Sequence, residues 1–396
     1  MQKNALAPLV LKLGRGDWQA ALTLVAAASL LLFGVAYLLH SRPPHDQNGY
    51  LIGRDFVNSW MGARAVVGGH VEGLFHLDAY NRAIAALFGK LPPLNWSYPP
   101  VVLLFVAPLG LLPYLPALAL WSGLGMTAYL LAARSFCRDG GTLGFVAVAP
   151  AAGICLFCGQ NGFFSAALLI LFFRYWDERP WLAGIALGLM LYKPHLVVLF
   201  PLALALSGRW RVFASAAITT LALVVLTALV FGPHIWGNYF RFAGPVQKGV
   251  METGTGFLTM MPTGFMQARM LGADLHLARL IQLPFTLLAL AAVVWVFWCR
   301  RDPLLSSAVL ITASFVVTPY VFDYDMVVFG WLTAMLWTRF SPPWDRALLL
   351  GVWTLPVAML FYGEWNLPLA APLMALFLLR LLGYLRGEKL PAAQTT

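Results

Sequence analysis

The chain has 396 residues, of which 60% are hydrophobic and only 11% are charged, and its formal net charge is +10 at pH 7. Soluble domains contain about 25% charged residues, so this composition excludes a soluble globular protein. Apolar runs of about 20 residues, each long enough to cross a bilayer as a helix, recur without the two-residue alternation of a transmembrane β-barrel. The sequence therefore predicts an all-α polytopic membrane protein that forms a single integral membrane domain over residues 1–396.

The first apolar run, residues 19–39, follows a basic stretch and lacks a small-residue cleavage site after a short hydrophobic core. We interpret it as a retained helix and not as a signal peptide. Basic residues cluster here and between later runs, and the positive-inside rule places such clusters in the cytoplasm. The clusters are Lys3/Lys12/Arg15, Arg134/Arg138, Arg174/Arg179, Arg209/Arg211, Arg300/Arg301, Arg339/Arg346 and Arg380/Arg386/Lys389. Both termini are therefore expected in the cytoplasm and the long loops outside.

This topology predicts about 12 transmembrane helices, at residues 19–39, 98–133, 142–158, 161–175, 181–193, 195–207, 210–232, 275–299, 303–319, 322–338, 345–362 and 366–386. Segment 98–133 contains three prolines and fits either one broken helix preceded by an interfacial segment or two short helices. One net crossing is favoured, because it keeps the later arginine clusters cytoplasmic. Spans 181–193 and 195–207 are short and bounded by prolines. Broken helices at membrane depth are tolerated around a cavity, which indicates a site near the outer leaflet.

Two predicted outer loops are long enough to fold. The first, residues 41–97, contains amphipathic stretches at Phe56–Val67 and Ala79–Phe88 that suit helices lying on the membrane surface. The second, residues 233–274, is rich in Gly, Thr, Met and Phe and is expected to carry short interfacial helices. We find no internal repeat, which disfavours a transporter of the major facilitator type.

Six polar or aromatic motifs fall at the predicted outer ends of the spans. They are GRDFVNSW (residues 53–60), NWSYPP (95–100), CGQNG (158–162), YKPH (192–195), TPYVFDYD (318–325) and YGEWN (362–366). Because the residues of one site must share one side of the membrane, this convergence predicts an outward-facing cavity. Helix caps and an interfacial Trp/Tyr belt account for YGEWN and for part of NWSYPP.

Asp55 and Lys193 are the charged residues of these motifs with the clearest chemistry. Asp55 lies beside Phe56 and Trp60, where partial desolvation raises the pKa of a carboxyl toward the range of a general base; the alternative is a helix N-cap. Lys193 ends an apolar span, where a lysine is expensive unless it pairs with an anion such as phosphate; the alternative is snorkelling to the interface. His195 is a weaker candidate for the same task.

The remaining candidates are suited to binding hydroxyl groups. Asp323 and Asp325 have no basic neighbour in sequence and can bind sugar hydroxyls or position a cation such as Lys193, although Asp323 also suits a helix cap. Gln160 and Asn161 supply both donors and acceptors, or a plain cap. With the tyrosines of these motifs, the candidate sugar- or acceptor-binding set is Tyr98, Gln160, Asn161, Tyr320, Asp323, Tyr324 and Asp325.

Several chemistries lack sequence support. The chain has no Walker motif, no HExxH and no GxSxG. Asp323 and Asp325 form a DxD by letters, which is a weak metal signal at a span boundary. Cys155 and Cys158 form a CxxC inside an apolar helix, where packing is the simpler explanation. We therefore expect no metal and no cofactor.

Five motifs follow one another over residues 50–340, namely DF…W…AR…GG, SYPP…PLGLLP…W, GQN, YKPH and TPY…YD. Their order and spacing resemble those of the bacterial membrane glycosyltransferases of family 87, which belong to the GT-C class. The mycobacterial members of that family are polyprenyl-phosphate-mannose-dependent α-1,2-mannosyltransferases. The resemblance implies a GT-C fold and an inverting transferase of the bacterial inner membrane. Such an enzyme moves one sugar, with mannose favoured, from an outward-facing polyprenyl phosphate to a hydroxyl of a lipid or glycan acceptor.

The resemblance also implies roles for individual residues. Asp55 in GRDF matches the acidic general base of the first outer loop, on the periplasmic face. Lys193, with His195 or Arg54, fits the group that stabilises the departing phosphate. A monophosphate donor needs less divalent help than a nucleotide diphosphate, so a metal is not expected. Topology explains the basic charge, so no nucleic-acid partner is expected.

Two other classes of function compete with this interpretation. A transporter or flippase of lipid-linked sugars would also suit twelve spans, but it predicts ionisable residues along both halves of a central pathway, whereas here they gather at the outer ends. A non-catalytic partner in envelope assembly predicts that Asp55→Asn leaves function intact.

Overall fold

The computed structural model describes residues 18–253, 258–299, 302–340 and 342–387, and among them helices and connecting turns account for the fold, without strands. The α-helices are α1 (Trp18–Leu39), α2 (Phe56–Val67), α3 (Leu77–Phe88), α4 (Val101–Val106), α5 (Tyr114–Arg134), α6 (Gly140–Ala147), α7 (Pro150–Cys158), α8 (Gly162–Tyr175), α9 (Pro180–Leu189), α10 (Phe200–Leu206), α11 (Trp210–Phe231), α12 (His234–Asn238), α13 (Gly244–Thr253), α14 (Gly264–Met270), α15 (Leu275–Trp298), α16 (Pro303–Val317), α17 (Val327–Trp337), α18 (Pro343–Tyr362) and α19 (Ala370–Arg386). Short 3₁₀ turns at Val71–Phe75, Ala107–Leu111, Met190–Tyr192, Pro194–Val197, Leu258–Met260, Asp323–Met326 and Gly363–Trp365, and a π-helical turn at Tyr239–Ala243, connect them.

Five helices in the described residues are long and apolar enough to cross a membrane. They are Gln19–Leu39, Tyr114–Arg134, Trp210–Phe231, Leu275–Trp298 and Pro343–Trp365. A sixth span is possible if α6 and α7, which bend by 49° at their break, cross together. These helices support the predicted all-helical membrane architecture, whereas the predicted count of about 12 crossings is not confirmed.

Prolines explain why several predicted spans are broken. Segment 98–133 divides into a short apolar helix, Val101–Leu111, and one helix of spanning length that begins after Pro113. In the segment from Pro180 to Leu206 the break falls at Lys193, whose φ of −137° and ψ of 65° are not helical. A residue that precedes proline is disfavoured in the helical region, so Pro194 fixes the break there. Lys193 therefore lies between two half-length apolar helices.

Close packing of α9 against α11 holds this broken segment in place. Gly184 and Gly188, four residues apart on α9, face Ser215 and Thr219 of α11 so closely that a Cβ on either glycine would overlap those side chains. Small residues at this spacing allow two membrane helices to approach. The hydroxyl of Ser215 also donates to the Trp181 carbonyl at 2.8 Å.

The outer loops are more deeply packed than the sequence indicates. Both amphipathic stretches of the first loop form helices, α2 and α3, and α3 exposes most of its residues. α2 is covered by other segments of the protein, since Phe56 and Ala63 are fully buried and the Ala63 carbonyl packs directly against Gly110, whereas its position relative to the membrane surface stays a prediction. In the second loop, α14 is buried as well, and the Gln282 amide oxygen accepts from its Phe265 N–H at 3.0 Å.

An ion pair joins the last two helices at their cytoplasmic ends in the predicted topology. Asp345 is fully buried on α18, and its carboxylate accepts from Arg380 Nε at 2.7 Å, from Arg380 Nη2 at 3.1 Å and from the Tyr384 hydroxyl. The Arg380 guanidinium also lies 3.9 Å from the centre of the Trp344 ring. Every charge in this pair has a partner, which is the condition for a stable buried carboxylate.

Removing Arg380 is expected to destabilise the protein strongly, because Asp345 would then be buried without its counter-ion. We predict that Arg380→Ala lowers the free energy of unfolding by about 3–5 kcal/mol. The measurement is the Tm of the detergent-solubilised protein. Arg174→Ala is the control, since it breaks an exposed Arg174–Glu178 pair and surface pairs contribute little. Equal Tm values for the two variants would contradict the structural role of the buried pair.

Candidate active site

The turn that carries Asp55 packs against the turn of the CGQNG motif. The Asp55 N–H donates to the Cys158 carbonyl at 3.1 Å. Gly159, with a φ of +59°, lies so close to the Gly53 carbonyl and to Phe56 that a side chain at position 159 would overlap both. Only glycine adopts this left-handed conformation with no steric penalty, so it permits the close approach of the two turns. Asp55 is half-buried there.

Asp55 stands at the N-cap position of α2, yet its side chain accepts no capping hydrogen bond. Instead, Asp55 Oδ2 accepts from Gln160 Nε2 at 2.9 Å. Gln160 Oε1 in turn accepts from the Tyr98 hydroxyl at 3.1 Å. The capping alternative for Asp55 is therefore wrong, and three motifs that are distant in sequence meet in one hydrogen-bonded chain.

Lys193 and Asp325 form a buried ion pair. Lys193 Nζ lies 2.5 Å from Asp325 Oδ1, and the side chains are 7% and 1% exposed. The same ammonium group lies 5.0 Å from the centre of the Tyr324 ring. The positioning of a cation by Asp325, one of the two roles that the sequence suggested for it, is thus present in the structure. The Tyr324 carbonyl also packs directly on Gly162, which brings this segment to the CGQNG turn.

Arg54 turns away from this pair and binds Asp46. Its Nη2 lies 2.7 Å from Asp46 Oδ2, and its guanidinium carbon lies 4.2 Å from the Tyr50 ring centre. Asp46 Oδ1 also accepts from the backbone N–H groups of Asn48 and Tyr50. Arg54 has a φ of 39°, an uncommon conformation for a residue other than glycine. Sequence reasoning missed Asp46; its signal is a carboxylate nine residues before Asp55 in the same outer loop.

Four buried polar atoms of the candidate site residues have no hydrogen-bond partner in the described part of the chain. They are Arg54 Nε, Asn161 Oδ1, His195 Nε2 and Asp323 Oδ2. The other oxygen of Asp323 accepts from the adjacent Tyr324 N–H at 2.7 Å, and the His195 ring stands edge-on to Tyr320 with centroids 5.7 Å apart. Unpaired buried polar atoms are costly, so a group of them near a carboxylate and an ammonium marks a ligand site.

The local environment changes the acidity of two of these carboxyls. Burial raises the pKa of Asp55 above its ordinary value, while the Gln160 hydrogen bond and the charges of Arg54 and Lys193 act in the opposite direction. The pKa of Asp323 is raised to about 8, chiefly by burial, and the negative charges of Asp325 and Asp55 also raise it. The hydrogen bond from the Tyr324 N–H lowers it. Asp323 therefore keeps its proton to a higher pH than an ordinary carboxyl, and Asp55 has an increased proton affinity.

An apolar groove opens beside Lys193 and His195. It has a volume of about 620 Å³ and runs between the broken segment and α11. Its lining residues are Leu187, Leu191, Pro194, Val197, Val198, Pro201, Leu204, Phe213, Ala216, Ala217, Thr220, Leu221 and Val224. Within the described ranges, no group of three or more His, Cys, Asp or Glu side chains is arranged to hold a metal ion.

A family model for glycosyltransferase family 87 matches residues 96–319, which is more than half of the chain. The chain belongs to glycosyltransferase family 87. The family resemblance of the motifs is confirmed, and the chain is a membrane glycosyltransferase, whereas the specific similarity to mycobacterial mannosyltransferases is not confirmed. Comparisons with curated proteins and with solved structures give no match. In this family 87 glycosyltransferase, Gln160, Lys193 and His195 lie inside the matched region. Asp325 lies 6 residues beyond its end, and Asp55 lies 41 residues before its start.

The raised pKa of Asp323 predicts a pH-dependent stability. The Asp323 carboxyl loses its proton near its ordinary pKa of 3.8 in the unfolded chain and near pH 8 in the folded protein. Its contribution to stability is therefore complete below about pH 4 and is lost as the pH rises toward 8. Asp323→Asn has no such proton to lose. We predict that its Tm falls less than that of the wild type between about pH 5 and pH 8.

The matched control is Asp274→Asn, because Asp274 caps α15 at the surface and accepts from the Leu277 N–H at 2.8 Å. This variant is expected to keep the wild-type slope of Tm against pH. A wild-type slope in Asp323→Asn would show that Asp323 is already ionised at pH 7.

Proposed function

We propose that this family 87 enzyme moves one sugar from an outward-facing polyprenyl phosphate to a hydroxyl of a lipid or glycan acceptor, with inversion. The observation that carries the proposal is that the Asp55 turn and the segment holding the Lys193–Asp325 pair both pack against the CGQNG turn. The Asp55 carboxylate and the Lys193 ammonium lie close enough for the charge of Lys193 to act on the pKa of Asp55. A transferase of this kind needs a base at the acceptor hydroxyl and a positive charge at the departing phosphate.

The proposed reaction is a single displacement. Asp55 takes the proton of the acceptor hydroxyl, and the oxygen attacks the anomeric carbon of the donor. The bond between that carbon and the phosphate oxygen breaks, and the electron pair leaves with the polyprenyl phosphate. Lys193 is buried and already charge-paired with Asp325, so it offers a positioned cation to the developing negative charge without reorganisation. Attack opposite the leaving group inverts the configuration of the sugar.

The apolar groove supports a lipid as the carrier of the donor phosphate. Pro194 lines the groove and separates Lys193 from His195 in sequence. In this proposal an isoprenoid chain lies in the groove, and its phosphate is placed at the Lys193 ammonium and the neighbouring His195 ring. His195 Nε2 has no protein partner in the described part of the chain, so it remains a candidate for a phosphate oxygen. Arg54 is a weaker candidate, because Asp46 holds its guanidinium.

The finer assignments in this proposal come from the family resemblance. Mannose is the favoured sugar, the site faces the periplasm of a bacterial inner membrane, both termini are cytoplasmic, and no cofactor or metal takes part. Asn161, Tyr320, Tyr324 and Asp323 remain candidates for sugar or acceptor hydroxyls. Asp325 is a weaker candidate because Lys193 occupies one of its oxygens.

The proposal is tested by sugar transfer with purified wild type and Asp55→Asn, using a panel of polyprenyl-phosphate sugars and a membrane extract as acceptor. Asn has nearly the size of Asp and cannot accept the proton. We predict that transfer by the variant falls by at least about 100-fold, the scale of a lost general base. Both proteins must have the same Tm.

Three outcomes separate the alternatives. Transfer by the wild type alone identifies the donor and supports the base. Equal transfer by Asp55→Asn would remove Asp55 from this role. Absence of transfer from every donor, together with movement of lipid-linked sugar across proteoliposomes, would favour a flippase.

Filling the apolar groove tests the lipid carrier separately. Ala217→Trp places an indole in the groove, and displacing about two methylene groups of the lipid is expected to raise the donor KM by about tenfold. The matched control is Ala222→Trp, because Ala222 is exposed on the same helix and outside the lining of the groove. Equal KM values for the two variants would contradict a lipid in this groove.

A further inference from the structure

The two ends of the Gln160 side-chain amide have different partners, and their chemistry fixes its orientation. A carboxylate only accepts hydrogen bonds, so the Asp55 oxygen must face the amide nitrogen, at 2.9 Å. The amide oxygen then accepts from the Tyr98 hydroxyl, at 3.1 Å. The chain therefore runs in one direction, from the tyrosine hydroxyl through the amide to the carboxylate.

The backbone of Gln160 is as firmly held as its side chain. Its N–H donates to the Cys155 carbonyl at 3.0 Å, and its carbonyl accepts from the Cys155 thiol at 3.2 Å. Gln160 is 8% exposed. An amide held at both ends and at its backbone cannot turn freely, and it keeps Asp55 Oδ2 in one place.

Asp55 Oδ1 is the oxygen left free by this arrangement. Asp55 makes no ion pair and no helix-capping bond, and in the described part of the chain its only side-chain hydrogen bond is the one from Gln160 to Oδ2. A base that is fixed through one oxygen presents the other in a defined direction. Directional control of this kind is what a base needs to meet an acceptor hydroxyl at hydrogen-bonding distance.

We propose that Gln160 is a positioning residue that orients Asp55 as a base and stabilises its ionised form, and that the Tyr98 hydroxyl fixes the amide of Gln160. This inference rests on the proposed function. It replaces the expectation from sequence that Gln160 and Tyr98 bind sugar, because their polar groups already face each other and the carboxylate. If Gln160 bound the sugar, its loss would raise the donor KM, whereas the loss of a positioning residue lowers the rate of the catalytic step.

The proposal predicts a change in pH dependence with a defined sign. The Gln160 hydrogen bond lowers the pKa of Asp55, so its removal raises that pKa and moves the acidic limb of kcat/KM to higher pH. Gln160→Leu removes a hydrogen bond to a charged group, so the acidic limb of the variant is expected to lie at higher pH than that of the wild type. The loss of activity is therefore greatest at low pH, with the donor KM nearly unchanged.

Other ionisable groups also face Asp55 and have to be kept constant. They are Arg54, Tyr98, Tyr114, Cys158, Lys193, Asp323 and Tyr324. Gln160→Leu replaces none of these residues, although it removes the hydrogen-bond partner of the Tyr98 hydroxyl. Asp323 is the other carboxyl that titrates below pH 9, so the pair of pH profiles is repeated in the Asp323→Asn background, where the shift is expected to persist.

Gln282→Leu is the matched control. Gln282 is 6% exposed and binds the Phe265 N–H and the Val316 carbonyl, so its loss removes hydrogen bonds of a similarly buried glutamine far from Asp55 in sequence. This variant is expected to lower the Tm without moving the acidic limb. Tyr98→Phe, which removes a single oxygen, is expected to move the limb in the same direction as Gln160→Leu by a smaller amount. It also serves as the second variant if Gln160→Leu does not fold.

The outcomes are distinguishable from failure of the proposed function. Two results together support the proposal. The acidic limb of Gln160→Leu is shifted, and Gln160→Leu causes no further loss of transfer in the Asp55→Asn background. An unshifted limb in both Gln160→Leu and Tyr98→Phe, or a raised donor KM as the main effect, overturns it while leaving Asp55 as the base. Absence of transfer by the wild type refutes the proposed function and this inference with it.

Discussion

A buried charge at the end of an apolar helix is stable when it is paired with an opposite charge, and the candidate site is organised by that requirement. Lys193 is placed at the break between two half-helices because Pro194 prevents the chain from continuing as a helix. Its ammonium group has little contact with solvent and is stable there because Asp325 lies 2.5 Å away. One ion pair thereby joins two segments that are 132 residues apart in sequence.

The opposite end of the molecule obeys the same requirement with a different result. Asp345 accepts from Arg380 and Tyr384, so its carboxylate is fully satisfied and serves stability. The outer cluster is only partly satisfied, since Asn161, His195 and Asp323 each keep a buried polar atom without a partner in the described residues. A satisfied network stabilises a fold, whereas unsatisfied groups around a charged pair are suited to a ligand. This difference distinguishes the candidate site from the Asp345 network.

Much of the site was predictable because its residues are chemically conspicuous. Asp55, Lys193 and Asp325 are charges in an apolar sequence, and sorting the motifs by predicted side of the membrane brings them together. Their partners were less predictable. The Arg54–Asp46 ion pair is formed at a residue with a left-handed backbone conformation, and the hydrogen bond from Gln160 to Asp55 depends on Gly159, which lets two distant turns approach.

The fold was predictable in class and less so in detail. Hydrophobicity marks apolar runs, but it does not distinguish a spanning helix from the shorter helices that surround a broken one. The approach of α9 to α11 through Gly184 and Gly188 is a packing property that depends on both helices. Burial of α2 depends on Gly110 of another segment, so an amphipathic pattern alone places that helix at the surface.

The central claim is that Asp55 and Lys193 act on opposite sides of one anomeric carbon, and this claim has a stereochemical consequence. A single displacement by the acceptor hydroxyl inverts the configuration of the transferred sugar, whereas a covalent sugar–enzyme intermediate would preserve it through two inversions. The most direct measurement is the anomeric configuration of the product by NMR, starting from a polyprenyl-phosphate sugar of known configuration. The account predicts inversion. Retention would contradict it, because a nucleophile on the protein would then replace the base assigned to Asp55.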